Sequence, residues 1–231
     1  MIRNLSIATI SATIIAASAS ADMTGFAYQN GYAWSGSTFG GSTSGYVVDL
    51  YLEFDSMDDV LLNVYNYNQV GGSDNYYQGL TAAGWAPNLQ SGPFETDDAL
   101  EFDSFIAIGD TGPTNGNPDQ MAGNGVSVDP NFGGNGAGAP GTNAGWYNGN
   151  PNNTIGMAQQ TIHTANGIGV FIGRFSVENS NGFSLEGSTG QATFNQGPGT
   201  DGLQESFVVV PAPGALALLG VAGLAGRRRR K

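Results

Sequence analysis

The chain has 231 residues, of which 37 are glycine and 11% are charged, and it contains no cysteine. This composition favours strands and long turns over helices, and the lack of cysteine excludes disulfides, thiol catalysis and thiolate zinc sites. All 19 acidic residues lie between Asp22 and Glu205, where Arg174 is the one cation, so that this segment has a net charge near −18. Such a charge excludes nucleic acid and anionic lipid as partners of the segment.

The first 21 residues have the three parts of a secretory signal peptide. Arg3 supplies a positive start, residues 5–17 form a short apolar stretch, and Ala19 and Ala21 place small residues where a signal peptidase reads them. The apolar stretch is too short for a comfortable transmembrane helix. The sequence therefore predicts export and a mature chain that begins at Asp22.

Alternating apolar residues predict strands in the next part of the chain. Residues 46–54 (YVVDLYLEF) alternate between apolar and polar positions, which is the period of a strand. A polar turn at 55–59 and a second strand at 60–67 then predict a hairpin. The aromatic and Gly/Ser/Thr-rich residues 22–45 are expected to form an edge strand and a loop.

More short strands follow as far as residue 210. They are predicted at 101–108, 155–163, 169–178, 183–186, 192–194 and 206–210. Residues 110–153, rich in Gly, Asn and Pro, are predicted to be one long loop, and loops of that length are usually functional or disordered. Many short strands without helix signals predict an all-β fold, a jelly-roll-like β-sandwich with long Gly/Asn-rich loops. Helix is expected only in the N-terminal signal and the C-terminal tail.

The C-terminus, residues 210–231, also has three parts in a fixed order. Its prolines block regular backbone hydrogen bonding and separate the tail from a domain that spans residues 22–209. An apolar Gly/Ala-rich segment follows at 215–226, shorter than the roughly 20 residues that span a bilayer. A basic cluster, which stays on the cytoplasmic side of a membrane, closes the chain. The signal residues are Val210, Pro211, Ala212, Pro213, Arg227, Arg228, Arg229 and Arg230.

This tail resembles the PEP-CTERM sorting signal of bacterial proteins associated with exopolysaccharide. That family has a Pro-Glu-Pro-like motif, a short apolar helix and an Arg-rich end, and Ala212 stands here where the Glu usually lies. The resemblance implies transient anchoring in the inner membrane and cleavage by an exosortase, a membrane cysteine protease-transpeptidase. Residues 46–67 and 99–109 also resemble an uncharacterised domain of other secreted proteins with this tail, which implies no activity.

Two groups of acidic residues are candidates for a calcium site, because calcium takes carboxylate oxygens in numbers. The candidate ligands are Glu53, Asp55, Asp58 and Asp59 in the predicted turn, and Asp97 and Asp98 further along the chain. Neither group has the spacing of an EF-hand loop. Two alternatives to a calcium site remain open. The carboxylates can simply keep the protein soluble in salty surroundings, or two of them can form the acid pair of a glycosidase.

Three tryptophans, Trp34, Trp85 and Trp146, are candidates for carbohydrate contact, because they lie in Gly-rich segments that are expected to be exposed. Aromatic faces can stack on sugars, although packing in the core is the alternative. His163, the only histidine, is expected to be an ordinary strand or loop residue. The glycines of 136–141 match a dinucleotide-binding pattern but lack the strand and helix that this pattern needs.

Two functions remain open from the sequence. The first is a non-enzymatic cell-surface or extracellular-matrix protein that an exosortase-type protease sorts and cleaves, with exopolysaccharide as a further partner. The second is a carbohydrate-binding module assisted by calcium. An enzyme ranks third, because few polar groups besides the carboxylates are available to hold a sugar.

Overall fold

The computed structural model describes residues 22–38, 41–73, 75–78, 85, 102–109, 126–132, 138–149, 155–197 and 200–214. They contain the strands β1 (Met23–Thr38), β2 (Gly41–Phe54), β3 (Val60–Asn68), β4 (Phe105–Ile106), β5 (Val126–Val128), β6 (Ala144–Asn148), β7 (Gln159–Gln160), β8 (Ile168–Glu178), β9 (Thr189–Asn195) and β10 (Gly202–Pro211). Pro130–Phe132 forms a 3₁₀ turn. The all-β prediction is confirmed. The signal peptide, the tail beyond residue 214, Asp97 and Asp98 lie outside the described residues.

The ten strands form one mixed sheet in the order β4-β8-β2-β1-β10-β9-β3-β6-β5, with β7 added alongside β8. The β1–β10 pair is parallel, and the other pairs are antiparallel. The sheet curls so that its two halves face each other, since Phe54 of β2 packs edge-on against Phe194 of β9 at 5.4 Å between ring centroids. The result is a sandwich-like, nearly barrel-shaped fold whose halves are joined through β1 and β10.

The core lies between these two halves. In β2 the predicted alternation is confirmed, because Val48, Leu50, Leu52 and Phe54 are all buried in it. In β3 the alternation is broken, since the pairing with β9 shifts register twice. Asn66 of β3 also adopts a positive φ of 50°, a conformation that belongs to bulges and turns.

The predicted hairpin of the strands at 46–54 and 60–67 is wrong. In the structure β2 lies between β1 and β8, whereas β3 lies between β9 and β6. The turn at 55–59 therefore carries the chain from one half of the sandwich to the other. Alternation shows which face of a strand is buried, but it does not show which strand is the partner.

The edge position predicted for residues 22–45 is also wrong. Strand β1 pairs with β2 over almost its whole length and with β10 on its other side. It therefore lies in the interior of the sheet and joins the two halves of the sandwich.

Several other predicted elements differ from the structure. The predicted loop at 110–153 contains β5 and β6, and β6 pairs with β3 although only Trp146 and Tyr147 of its sequence, AGWYN, favour strands. The strands predicted at 101–108 and 155–163 shrink to β4 and β7, and no strand forms at 183–186. Whether these short strands form depends on pairing with a neighbouring strand, and not on local propensity alone.

An ion pair lies on the outer face of β2 and β8, where it is also shielded from water. Asp49 and Arg174 are direct cross-strand partners, and Arg174 donates from Nε to Asp49 Oδ1 at 2.7 Å and from Nη2 to Oδ2 at 3.0 Å. The guanidinium carbon lies 5.7 Å from the ring centre of Phe105 in β4. Both charged side chains are buried, so β4 covers the pair and excludes solvent from it.

Burial would lower the pKa of Arg174, but Asp49 more than offsets this effect and raises it above the ordinary arginine value. The arginine therefore stays charged, and each partner depends on the other. We expect Asp49→Asn or Arg174→Gln to lower the free energy of unfolding by about 3–5 kcal/mol, because either change leaves a buried charge unpaired. The double variant should recover part of this loss, since two neutral amides can still bond to each other.

Chemical denaturation of the three variants measures these changes. Losses below about 1 kcal/mol in both single variants would match an exposed ion pair and contradict the buried one.

Candidate functional site

The four predicted calcium ligands of the 55–59 turn and the preceding strand are not arranged to hold a metal ion together. Glu53 is buried on the outer face, where it accepts hydrogen bonds from Thr24 Oγ1 at 2.9 Å and from the backbone N–H of Asn166 at 2.8 Å. Asp55 and Asp58 are exposed. Within the described part of the chain, no group of three or more Asp, Glu or His side chains is placed to hold a metal ion. The calcium site stays a prediction.

Asp59, in contrast, is fully buried beneath this turn. Neither oxygen of its carboxylate has a hydrogen-bond partner. Burial, and then the nearby charge of Asp55, raises the pKa of Asp59 to about 6. Ionisation of Asp59 at neutral pH therefore lowers the stability of the folded state, because the buried carboxylate is not solvated by water.

The expectation of three exposed tryptophans is wrong for two of them. Trp146 lies on β6 facing the core, and its indole N–H donates to the carbonyl of Ala107 at 2.9 Å. Trp85 is buried against Phe175, with ring centroids 5.4 Å apart. The Gly-rich flanks suggested exposure, but in a chain with few aliphatic residues the large rings fill the core instead.

Trp34 is different, because it is half-buried on the outer face of β1. Its ring stacks on Phe102, with centroids 4.3 Å apart and planes within 15° of parallel. Phe102 in turn lies over Gly45, where an added methyl group would collide with the phenyl ring. Because Gly45 has no side chain, Phe102 can pack over β2 at this point and contact the ring of Trp34.

Trp34 belongs to a row of aromatic side chains on β1, which we call the outer aromatic face: Phe26, Tyr28, Tyr32 and Trp34. These residues lie on the side of β1 opposite the core residue Ala27, where residues two apart are spaced by about 6.7 Å, but Asn30 separates Tyr28 from Tyr32 and Tyr28 is buried. Phe26 is 42% exposed, and Tyr32 and Trp34 are half-buried. The row offers an apolar surface edged with hydroxyl groups.

A small cavity of about 160 Å³ lies next to this face, beyond β2. It is lined by Tyr51, Gln159, Gln160, Thr161, His163 and Phe171. The His163 ring stacks on Tyr51, with centroids 4.5 Å apart, and burial lowers the pKa of His163 although Asp49 opposes the shift. The imidazole is therefore largely neutral at pH 7 and can exchange hydrogen bonds with uncharged hydroxyl groups.

The cavity and the Asp49–Arg174 pair were not predicted from the sequence. A signal for the pair was present, since Asp49 and Arg174 are charged residues inside strongly apolar strands, and such charges need a partner. Stacking of His163 on Tyr51 has no comparable signal, because it depends on how the loop after β7 folds over β2.

No protein family model, curated protein or solved structure matches this chain. Among the residues that the structure describes, no helix is long and apolar enough to cross a membrane.

The raised pKa of Asp59 predicts that ionisation of this residue costs stability. Its folded-state pKa of about 6 exceeds the ordinary value of 3.8, so the folded state binds the proton more tightly and stability falls as the pH rises through this range. Asp59→Asn should therefore raise the melting temperature by a few degrees at about pH 7.5 and change it little at about pH 4.

Thermal denaturation at the two pH values, with Asp58→Asn as the exposed neighbouring control, tests this expectation. The same shift at both pH values would show that the charge of Asp59 is not responsible.

Proposed function

We propose that the protein is an exported, non-enzymatic cell-surface or matrix domain that is trimmed at both ends. One observation carries this proposal: the ends of the folded sheet coincide with the two candidate processing signals. Strand β1 begins at Met23, one residue after the expected start of the mature chain, and β10 ends at Pro211 within the Val-Pro-Ala-Pro motif. Removal of both signals would leave every described strand intact.

The position of the C-terminal motif refines the domain boundary. Val210 and Pro211 pair with Tyr28 and Gln29 of β1, so the sheet extends two residues beyond the boundary of 209 expected from the sequence. Pro211 is the last residue of β10. Because proline has no N–H to donate to a sheet, it suits the end of a strand better than its interior. A protease that preserves the sheet would cut after Pro211, and Ala212 and Pro213 are the first residues beyond it.

The distribution of charge also supports an extracellular location of the domain. Arg174 is the one basic residue between the two signals, and it is buried against Asp49. The mature surface would therefore present only negative side chains, which keep a domain soluble and prevent adhesion to nucleic acid and anionic lipid.

The carboxylates of the outer face support a non-enzymatic role. Asp49 is bound to Arg174, and Glu53 accepts from Thr24 and Asn166. Acids held in this way stabilise the fold, whereas a general acid or base must be able to reach a substrate.

We expect the protein released from producing cells to start at Asp22 and to end beyond Pro211, without the Arg-rich cluster. Replacing Arg227–Arg230 with Ser should abolish C-terminal processing, because the tail would no longer be held at the cytoplasmic side. Replacing Pro211 and Pro213 with Ala should leave the full tail in place. Intact-mass measurement of surface material decides between these outcomes, and a wild-type chain that still ends at Lys231 would refute the sorting proposal.

A second candidate function is carbohydrate binding, and the outer aromatic face favours it. Phe26, Tyr32 and Trp34 are exposed or half-buried along one strand, and such rings can stack on the units of a polysaccharide. The neighbouring His163 cavity adds a neutral imidazole and amide groups that suit hydroxyl groups. Exopolysaccharide is the partner that this surface would meet outside the cell.

Substituting Trp34 with Ala should weaken binding to a soluble exopolysaccharide by about tenfold, because the variant loses a stacking interaction that contributes about 1–1.5 kcal/mol to the binding free energy. Tyr147→Ala is the matched control, since Tyr147 is an exposed aromatic residue on the distant strand β6. Affinity electrophoresis with and without calcium measures both variants. Equal binding by Trp34→Ala and wild type would remove the outer aromatic face as the site, and a calcium requirement would favour the assisted form of binding.

A further inference from the structure

The backbone nitrogen of Asp22 lies at the carboxylate of Asp55. It donates to Asp55 Oδ1 at 2.7 Å, and the Asp55 N–H donates back to the carbonyl of Asp22 at 3.1 Å. This reciprocal contact fastens the start of β1 to the turn that follows β2. It lies at the first residue of the chain expected after signal-peptide cleavage.

Other acidic side chains interact with the two residues of this contact. Gln196 donates to the Asp22 carboxylate at 3.3 Å, and Asp22 and Asp55 add to the effect of burial in raising the pKa of Glu205. The charges of Asp22 and Asp55 also contribute to raising the pKa of the buried Asp59. These like charges repel one another, and no basic side chain of the 22–226 segment is available to offset them, because Arg174 is buried at Asp49.

We propose that cleavage before Asp22 creates an ammonium group that pairs with Asp55, neutralises part of this acidic cluster and locks β1 onto the β2–β3 turn. The inference rests on the proposed processing at Asp22 and adds a structural consequence to it. The domain would thus gain its one exposed cation from its own maturation.

The chemistry requires only water. Hydrolysis of the bond between Ala21 and Asp22 leaves a carboxylate on the departing leader and an amine on Asp22. A free α-amine has a pKa of about 7.7–8.0 and is therefore mainly protonated at neutral pH. The nitrogen that donates to Asp55 as an amide in the precursor then donates as a cation, and charge-assisted hydrogen bonds are roughly twice as strong as neutral ones.

The composition of the chain makes this group unusually easy to test. The only lysine is Lys231, at the far end of the tail. In a chain processed at both ends, the α-amine of Asp22 is therefore the one primary amine, and acetylation modifies it alone. The acetylated nitrogen keeps one N–H, so that the comparison isolates the charge from the hydrogen bond.

The experiment uses processed protein recovered from the cell surface, as wild type and as Asp55→Asn, each with and without acetylation. Acetylation should lower the melting temperature of the wild type by about 2–4 °C at low salt, and the difference should shrink at high salt. In Asp55→Asn the same acetylation should have little effect, because the partner charge is already absent. Asp58→Asn is the matched control and should respond like the wild type.

Equal melting temperatures for free and acetylated wild type would overturn the lock. A large effect of acetylation that persists unchanged in Asp55→Asn would also overturn it, since another group would then be the partner.

A mass measurement separates this inference from the proposed processing. If the recovered protein does not begin at Asp22, the processing proposal fails. A chain of residues 22–231 that carries Lys231→Arg, released from an N-terminal fusion so that Asp22 is its first residue and holds the one primary amine, then tests the lock alone through the same acetylation series. If the terminus is Asp22 but acetylation changes nothing, processing stands and the lock fails.

Discussion

The buried contact between Asp49 and Arg174 constrains the rest of the structure. It fixes the register of β2 against β8 and needs a cover, which Phe105 of β4 provides. The segment that carries β4 also carries Phe102, which fits over Gly45 and supports the ring of Trp34. The outer aromatic face thus depends on the same covering segment that keeps water away from the ion pair.

The pair also determines the charge of the molecule's surface. Because the single arginine between the two signals is used internally, the acids on the outside have no basic side chain to balance them. For this reason an ammonium group at Asp22, as proposed, would matter more here than in a protein with a mixed surface. It also gives the domain a uniformly acidic exterior, which suits a protein exposed to salt and anionic polymers.

Strand β1 links the features that we associate with function. Its first residue adjoins the proposed cleavage point, its outer side carries the aromatic residues, and its parallel partner β10 ends in the candidate sorting motif. Processing at both ends would therefore act on two neighbouring strands in the middle of the sheet. A cut inside either strand would remove the connection between the two halves of the sandwich.

The sequence predicts the fold class and the buried face of β2, because period-two alternation follows directly from the geometry of a strand. It fails for strand partners, since β2 and β3 are adjacent in the chain but lie in opposite halves of the sandwich. It fails for Trp85 and Trp146 because burial depends on distant residues such as Phe175. It places His163 in a strand or loop but does not predict its stacking on Tyr51, which depends on how the loop after β7 folds. Charges such as Asp49 and Arg174 are visible in the sequence, but their pairing becomes evident only from the fold.

The central claim is that one arginine remains in the processed domain and is held in a buried ion pair. Nuclear magnetic resonance of arginine Nε–H groups in protein recovered from the cell surface tests it directly, because Arg3 and Arg227–Arg230 would have been removed. Our account predicts a single Nε–H signal that exchanges slowly with solvent, since opening the Asp49 contact requires unfolding around β8. A signal that exchanges as fast as free arginine would contradict the buried pair, and additional arginine signals would contradict the processing.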